Sequence, residues 1–240
     1  MNYTLEVIAF TIDCCIKIEK AGAHRIELCS NPQEGGTTPS HGFISQARKK
    51  TSLELFAIIR PRGGDFVYSK NEYEVIKEDI DFCKKAGCEG IVTGMLYPDG
   101  RVDKIRCKEI VSLAYPMSVT FHRAFDRTKD PYQALEDIIE TGCERILTSG
   151  FMPTAIEAIS LIENLVKKAE DRIIIMPGSG IRSGNILKIA NSTGAVEFHT
   201  SARKSRTGKM EYYNEMLKES FESVEVDDAE VKKIISILTS

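Results

Sequence analysis

The chain has no Lys/Arg tract, no CxxC pair and no apolar run near the roughly 18 residues a membrane span needs. Each absence removes a class of function. With 32 basic residues against 35 acidic ones and a net charge of −3, there is no cationic field to hold a polyanion, which argues against nucleic acid as a partner. The first strand begins near Tyr3 without a charged n-region, an apolar h-region or a cleavage site, so a cytoplasmic protein with no membrane partner is expected. Seven cysteines, an odd number, fit free thiols in a reducing compartment better than a disulfide framework. No Pro/Gly/Ser-rich linker or shift of charge divides residues 1–240, and a chain that is 42% hydrophobic can bury one substantial core, so a single domain is expected.

What is present is alternation. Short β-rich runs near Leu5–Ala9, Arg25–Cys29, Leu53–Arg60, Gly90–Gly94, Ser118–Arg123, Arg145–Ser149, Ile173–Pro177 and Val196–Thr200 are separated by longer helical stretches. Eight parallel strands with helices outside predict an α/β protein, a closed TIM (β/α)8 barrel. Helix signals are explicit at Asp130-Pro131, an N-cap followed by a first-turn proline, and in Ile76, Ile80 and Cys83, which share one helical face. A weak repeat recurs at Ala21-Gly22-Ala23, Ala86-Gly87-Cys88, Thr141-Gly142-Cys143 and Thr193-Gly194-Ala195. Each places a helix-stopping glycine shortly before strand two, four, six or eight, as a barrel of four double units requires. From about 206 the pattern becomes charged and loosely periodic, predicting a helical extension whose last helix, Asp228–Leu238, closes the barrel or meets a partner such as a second copy of the chain.

In a barrel of this kind the loops after the strands form one face, and the unusual residues collect there. The segment SVTFHRAFD, 118–126, delivers His122, Arg123 and Asp126 to the end of strand five. Glu27 and Cys29 share one side of strand two; strand six ends in Ser149, and strand eight in His199 and Ser201 with Arg203 beyond. Glycines 178 and 180 after strand seven, with Ser201 and Arg203 after strand eight, occupy the usual phosphate cradle of the fold, although an isolated glycine pair also reads as a tight turn. Arg60 and Arg62, in Arg60-Pro61-Arg62-Gly63-Gly64-Asp65, either clamp a carboxylate or phosphate or pair with Asp65 and Glu27. His122 and His199 are either hydrogen-bonded structure or a general acid and base oriented by Glu27.

Among the cysteines, Cys83 and Cys107 lie in apolar helical stripes and Cys88 and Cys143 open core strands, so four read as small hydrophobes. Cys14 and Cys15 follow Asp13 at a helix start, where the helix dipole lowers a thiol pKa, although Cys14 also shares a core stripe with Ile18 and Ala21. Cys29, beside Glu27, is the best soft-ligand candidate.

The motifs RIELCS (25–30), EGGTTPS (34–40), IRPRGGDFVYS (59–69), VTFHRAFD (119–126), RILTSG (145–150), IIIMPGSGIR (173–182) and HTSAR (199–203) together resemble the CutC copper homeostasis family. The resemblance runs from residue 3 to about 205. It implies a TIM barrel, a cytoplasmic location and Cu(I) binding through cysteine, with copper as the cofactor. One departure stands out: where the family often has cysteine at the end of strand one this chain has Ile8, so Cys14 or Cys15 would have to replace a thiol facing Cys29. Two readings follow. The first is a copper-binding protein using Cys29 with a second thiol. The second is an enzyme acting on a small anionic or phosphorylated molecule, with Arg60, Arg62 and the 178–180 loop as anion binders and His122 with Glu27 as acid and base.

Overall fold

The computed structural model describes residues 3–239. Eight parallel strands form the barrel: β1 (Thr4–Ala9), β2 (Arg25–Leu28), β3 (Glu54–Ile58), β4 (Gly90–Thr93), β5 (Ser118–Phe121), β6 (Arg145–Thr148), β7 (Ile174–Pro177) and β8 (Glu197–Thr200). The helices are α1 (Ile12–Lys20), α2 (His41–Lys50), α3 (Lys70–Ala86), α4 (Lys104–Ala114), α5 (Pro131–Thr141), α6 (Ile159–Ala169), α7 (Ile186–Thr193) and α8 (Asp228–Thr239). Backbone ladders join the strands in the order β7-β6-β5-β4-β3-β2-β1-β8. The remaining seam, β7 beside β8, comes together without a ladder, so the ring is nearly closed.

Local chemistry explains the element ends. Asp130 caps α5 by accepting from the Tyr132 and Gln133 N–H groups, and Ser69 with Glu72 forms a capping box on α3. The four repeat glycines, 22, 87, 142 and 194, all have φ between +74° and +87°, the left-handed conformation that stops a helix most cheaply at glycine. The expected strands run slightly long at their C-terminal ends. Cys29, Arg60, Gly94, Arg123 and Ser149 lie just beyond the strands, where the backbone turns into loops; the Arg60 N–H, for example, goes to Thr38 Oγ1 instead of a ladder partner.

The C-terminal expectation needs correction. From Arg203 the chain first forms an antiparallel ribbon, β9 (Arg203–Arg206) with β10 (Ser223–Val226), before α8 begins. Only α8 is a full helix. It buries Val231, Ile234 and Leu238 and packs beside α1 and α7, filling the eighth position of the outer ring. No helix among the described residues is long and apolar enough to cross a membrane.

Apolar packing has two parts. The larger lies between sheet and helices; the smaller lies inside the barrel, where Cys29, Phe56, Ile58 and Val92 meet Ile8 and Phe10.

Candidate functional site

Strand alternation sets the interior. Glu6 and Ile8 of β1 pair with Arg25 and Glu27 of β2, and His199 of β8 pairs with Glu6, so these side chains project to one side. The layer farther from the mouth is ionic. Arg25 Nε lies 2.6 Å from Glu6 Oε2 and Arg25 Nη2 2.6 Å from Glu197 Oε2, while Arg145 Nε lies 2.8 Å from the same Glu197 oxygen. Both guanidinium groups also sit over the Phe56 ring.

Nearer the mouth, Glu6 Oε1 is 2.7 Å from His199 Nδ1, and His199 Nε2 is 3.8 Å from Glu27 Oε2. Donor atoms of Glu6, Glu27 and His199 all lie within 4.8 Å of one another. The Cys29 thiol lies close to Glu27, near enough for each to shift the other's proton affinity. Burial pushes Glu6 up, but Arg25 and His199 more than offset it and hold the carboxyl down at about 2. Burial drives Glu27 up to about 7 despite the pull of His199. His199 is pushed down by burial yet ends above its ordinary value because Glu6 and Glu27 favour its charged form. The two carboxyls are therefore unlike: a fixed anion orients one ring nitrogen and a proton-sharing partner faces the other.

Above them opens a cavity of about 350 Å³, whose floor includes Glu27 and His199. Phe10, Ile58 and Leu147 form apolar wall; Arg123, Ser201 and Arg203 reach it from the rim. Arg123 is held in place, its Nε donating to Asp126 Oδ2 at 2.8 Å and its Nη2 to Ser149 Oγ at 2.7 Å.

Several expected ligand groups turn out to be committed elsewhere. Arg60, 5% exposed, donates to the carbonyls of Glu34, Gly36 and Gly64, and Arg62 pairs with Glu72 and Asp65 and donates to the Val67 carbonyl. These arginines tie the loops after β2 and β3 together, so the anion-clamp reading is corrected: Arg62 is ion-paired, and Arg60 spends both Nη groups on neutral carbonyls, leaving only its buried Nε without a partner. Asp126 accepts from Arg123, Thr148, Ser149 and Phe151, and Ser149 Oγ is bonded among Arg123, Asp126 and the Met152 carbonyl. Both are supports for Arg123. A Cβ at 178 would lie 2.5 Å from Leu147 Cδ1, so any other residue there would displace that side chain, whereas Gly180, at φ +74°, borders the cavity.

His122 is 4% exposed, accepts from the Ala124 N–H and meets the Phe66 ring edge-on. Burial, then Arg60, push it down to about 3, so it stays neutral, and Glu27 partners His199 instead. The thiols at 14 and 15 are also corrected. Both are buried in the layer between sheet and helices, Cys15 donates to the Thr11 carbonyl, and burial pushes Cys15 up to about 12 rather than down. Sequence reading missed Glu6 and Arg25. Their signal was charge at alternating positions of strands whose neighbours are aliphatic.

The CutC family model matches residues 3–204. A family protein CutC of Parabacteroides distasonis is 47% identical over 98% of this chain and 100% of its own length. A human relative, named copper homeostasis protein cutC homolog, is 44% identical over 89% of this chain and 78% of its own. The crystal structure of CutC from Streptococcus agalactiae superposes with a TM-score of 0.79 at 31% identity, covering 83% of this chain and 98% of that one. Phosphoribosyl anthranilate isomerase from Thermotoga maritima shares the fold alone, with a TM-score of 0.63 at 11% identity.

Proposed function

The chain belongs to the CutC family, and we propose on that premise that it binds copper at the barrel mouth as a copper homeostasis protein. The observation that carries this reading is the position of Glu27, close to the Cys29 thiol on one side and facing His199 Nε2 at 3.8 Å on the other. Thiol, carboxylate and imidazole are thus offered along one short line. Glu6 has the place of the carboxylate that commonly orients a metal-binding imidazole through its other nitrogen.

The donors fit a one-thiol site. Ile8 packs in the same cluster as Cys29, and Cys14 and Cys15 are outside the barrel wall, so a pair of facing thiols is not available. Thiolate and imidazole are soft enough for Cu(I), and the carboxylate adds charge. Burial, and then Glu27, hold the Cys29 thiol well above its ordinary range, so copper must displace its proton and affinity must rise with pH.

Anaerobic Cu(I) titration against a competing chelator tests this. One ion per chain is expected, and Cys29→Ser and His199→Ala are each expected to weaken binding by at least roughly tenfold. Cu(I) affinity that is unmeasurable, or equal in wild type and both variants, would sink the proposal.

A further inference from the structure

A metal ion with its ligand waters fills only part of a cavity of about 350 Å³, which falls within the range typical of small-molecule sites. The unpaired groups around that cavity indicate what else enters. Arg203 makes no ion pair or side-chain hydrogen bond among the described residues, and the Ser201 hydroxyl has no partner. Arg123 spends Nε and Nη2 on Asp126 and Ser149, which fixes the plane of its guanidinium and leaves Nη1 unengaged. The backbone N–H groups of Ser179 and Gly180, in consecutive left-handed conformations, also lack partners within the fold. All five positions line this one cavity, on the side formed by the loops after β5, β7 and β8.

We infer that the mouth binds a small organic anion carrying a phosphate or carboxylate, its charge held by Arg123, Arg203 and the 179–180 backbone. Its other end lies against His199 and Glu27. An acceptor arriving at this edge meets five donor positions that make no competing bond among the described residues, so it gains their hydrogen bonds without breaking any. Phe10 and Leu147 supply apolar wall for a carbon skeleton, which inorganic ions would not need. Copper bound at His199 leaves the anion-binding edge free, so the two ligands are separable.

The test uses the full chain after metal removal, with sulfate as the first probe because it does not titrate at neutral pH. Millimolar sulfate is expected to raise the melting temperature relative to chloride at equal ionic strength. Arg203→Gln, an exposed and unpaired position whose loss should not disturb folding, is expected to weaken the apparent affinity on the order of threefold to tenfold. Arg123→Gln is expected to weaken it further, and Cys29→Ser to leave it unchanged. Glycerol 3-phosphate is expected to protect at lower concentration than sulfate. Equal protection of wild type and Arg203→Gln, or equal potency of the two anions, would overturn the inference. Sulfate protection in a protein that binds no copper would sink the copper reading alone.

Discussion

Replacing Glu27 by glutamine is expected to stabilise the protein, and to do so more strongly as pH rises. The folded carboxyl sits at about 7 against an ordinary value of 4.5, so between those values the folded state holds a proton that the unfolded chain has released. Stability therefore falls as pH rises through that window, and the full penalty, about 7 minus 4.5 at 1.36 kcal/mol per unit, reaches about 3 kcal/mol above it. Glutamine keeps the size while removing the ionisation. Partial titration makes its advantage grow by about 2 kcal/mol between pH 5.5 and pH 8.5, or about 4–8 °C in melting temperature for a chain of this length. His199, with its folded value raised by Glu6 and Glu27, also stabilises most at low pH and loses that contribution as pH rises; Glu27→Gln leaves only the Glu6 part of that shift, which makes this loss smaller in the variant and adds to the same trend. The measurement is thermal unfolding of both at the two pH values. A melting-temperature difference that is the same at pH 5.5 and 8.5 would refute the claim that Glu27 is forced to carry its proton by burial.

Arg25→Met is expected to cost about 3–5 kcal/mol in chemical denaturation, because Glu6 and Glu197 lose their shared counter-ion in the barrel interior; a loss below about 1 kcal/mol would contradict that account. Gly178→Ala is expected to destabilise by about 1–3 kcal/mol through collision with Leu147, and Leu147→Ala in the same chain should be less than additive with it. Strict additivity of the pair would show that the collision is not the cause.

How much of this was legible in the sequence depended on the range of the interaction. The eight strands and the four helix-stopping glycines follow from local periodicity and backbone preference, and the structure contains all of them. The fate of a charge depends on partners far along the chain. Arg60 and Arg62 look like ligand clamps until the Glu34, Gly36 and Gly64 carbonyls and the Glu72 carboxylate are seen to occupy them. Glu6 stands between aliphatic neighbours in the first strand with no motif of its own, yet Glu6, 193 residues from His199, is what aims that ring. Cys14 and Cys15 follow Asp13 at a helix start, but burial outweighs the helix dipole at Cys15.

The ion pair between Arg145 and Glu197 gives the ring a fastening of a different kind. Arg145 belongs to β6 and Glu197 to β8, so their 2.8 Å contact reaches past β7, across the seam that has no ladder. Seven joints of the ring are zipped by repeating backbone bonds that tolerate a change of side chain. The eighth is buckled by a charged clasp, with Arg25 holding the same oxygen of Glu197 from β2. A zip can slide by a notch; a clasp of two fixed arginines closing on one glutamate oxygen cannot. The floor beneath the mouth therefore also sets the alignment of β8, and with it the height at which His199 stands.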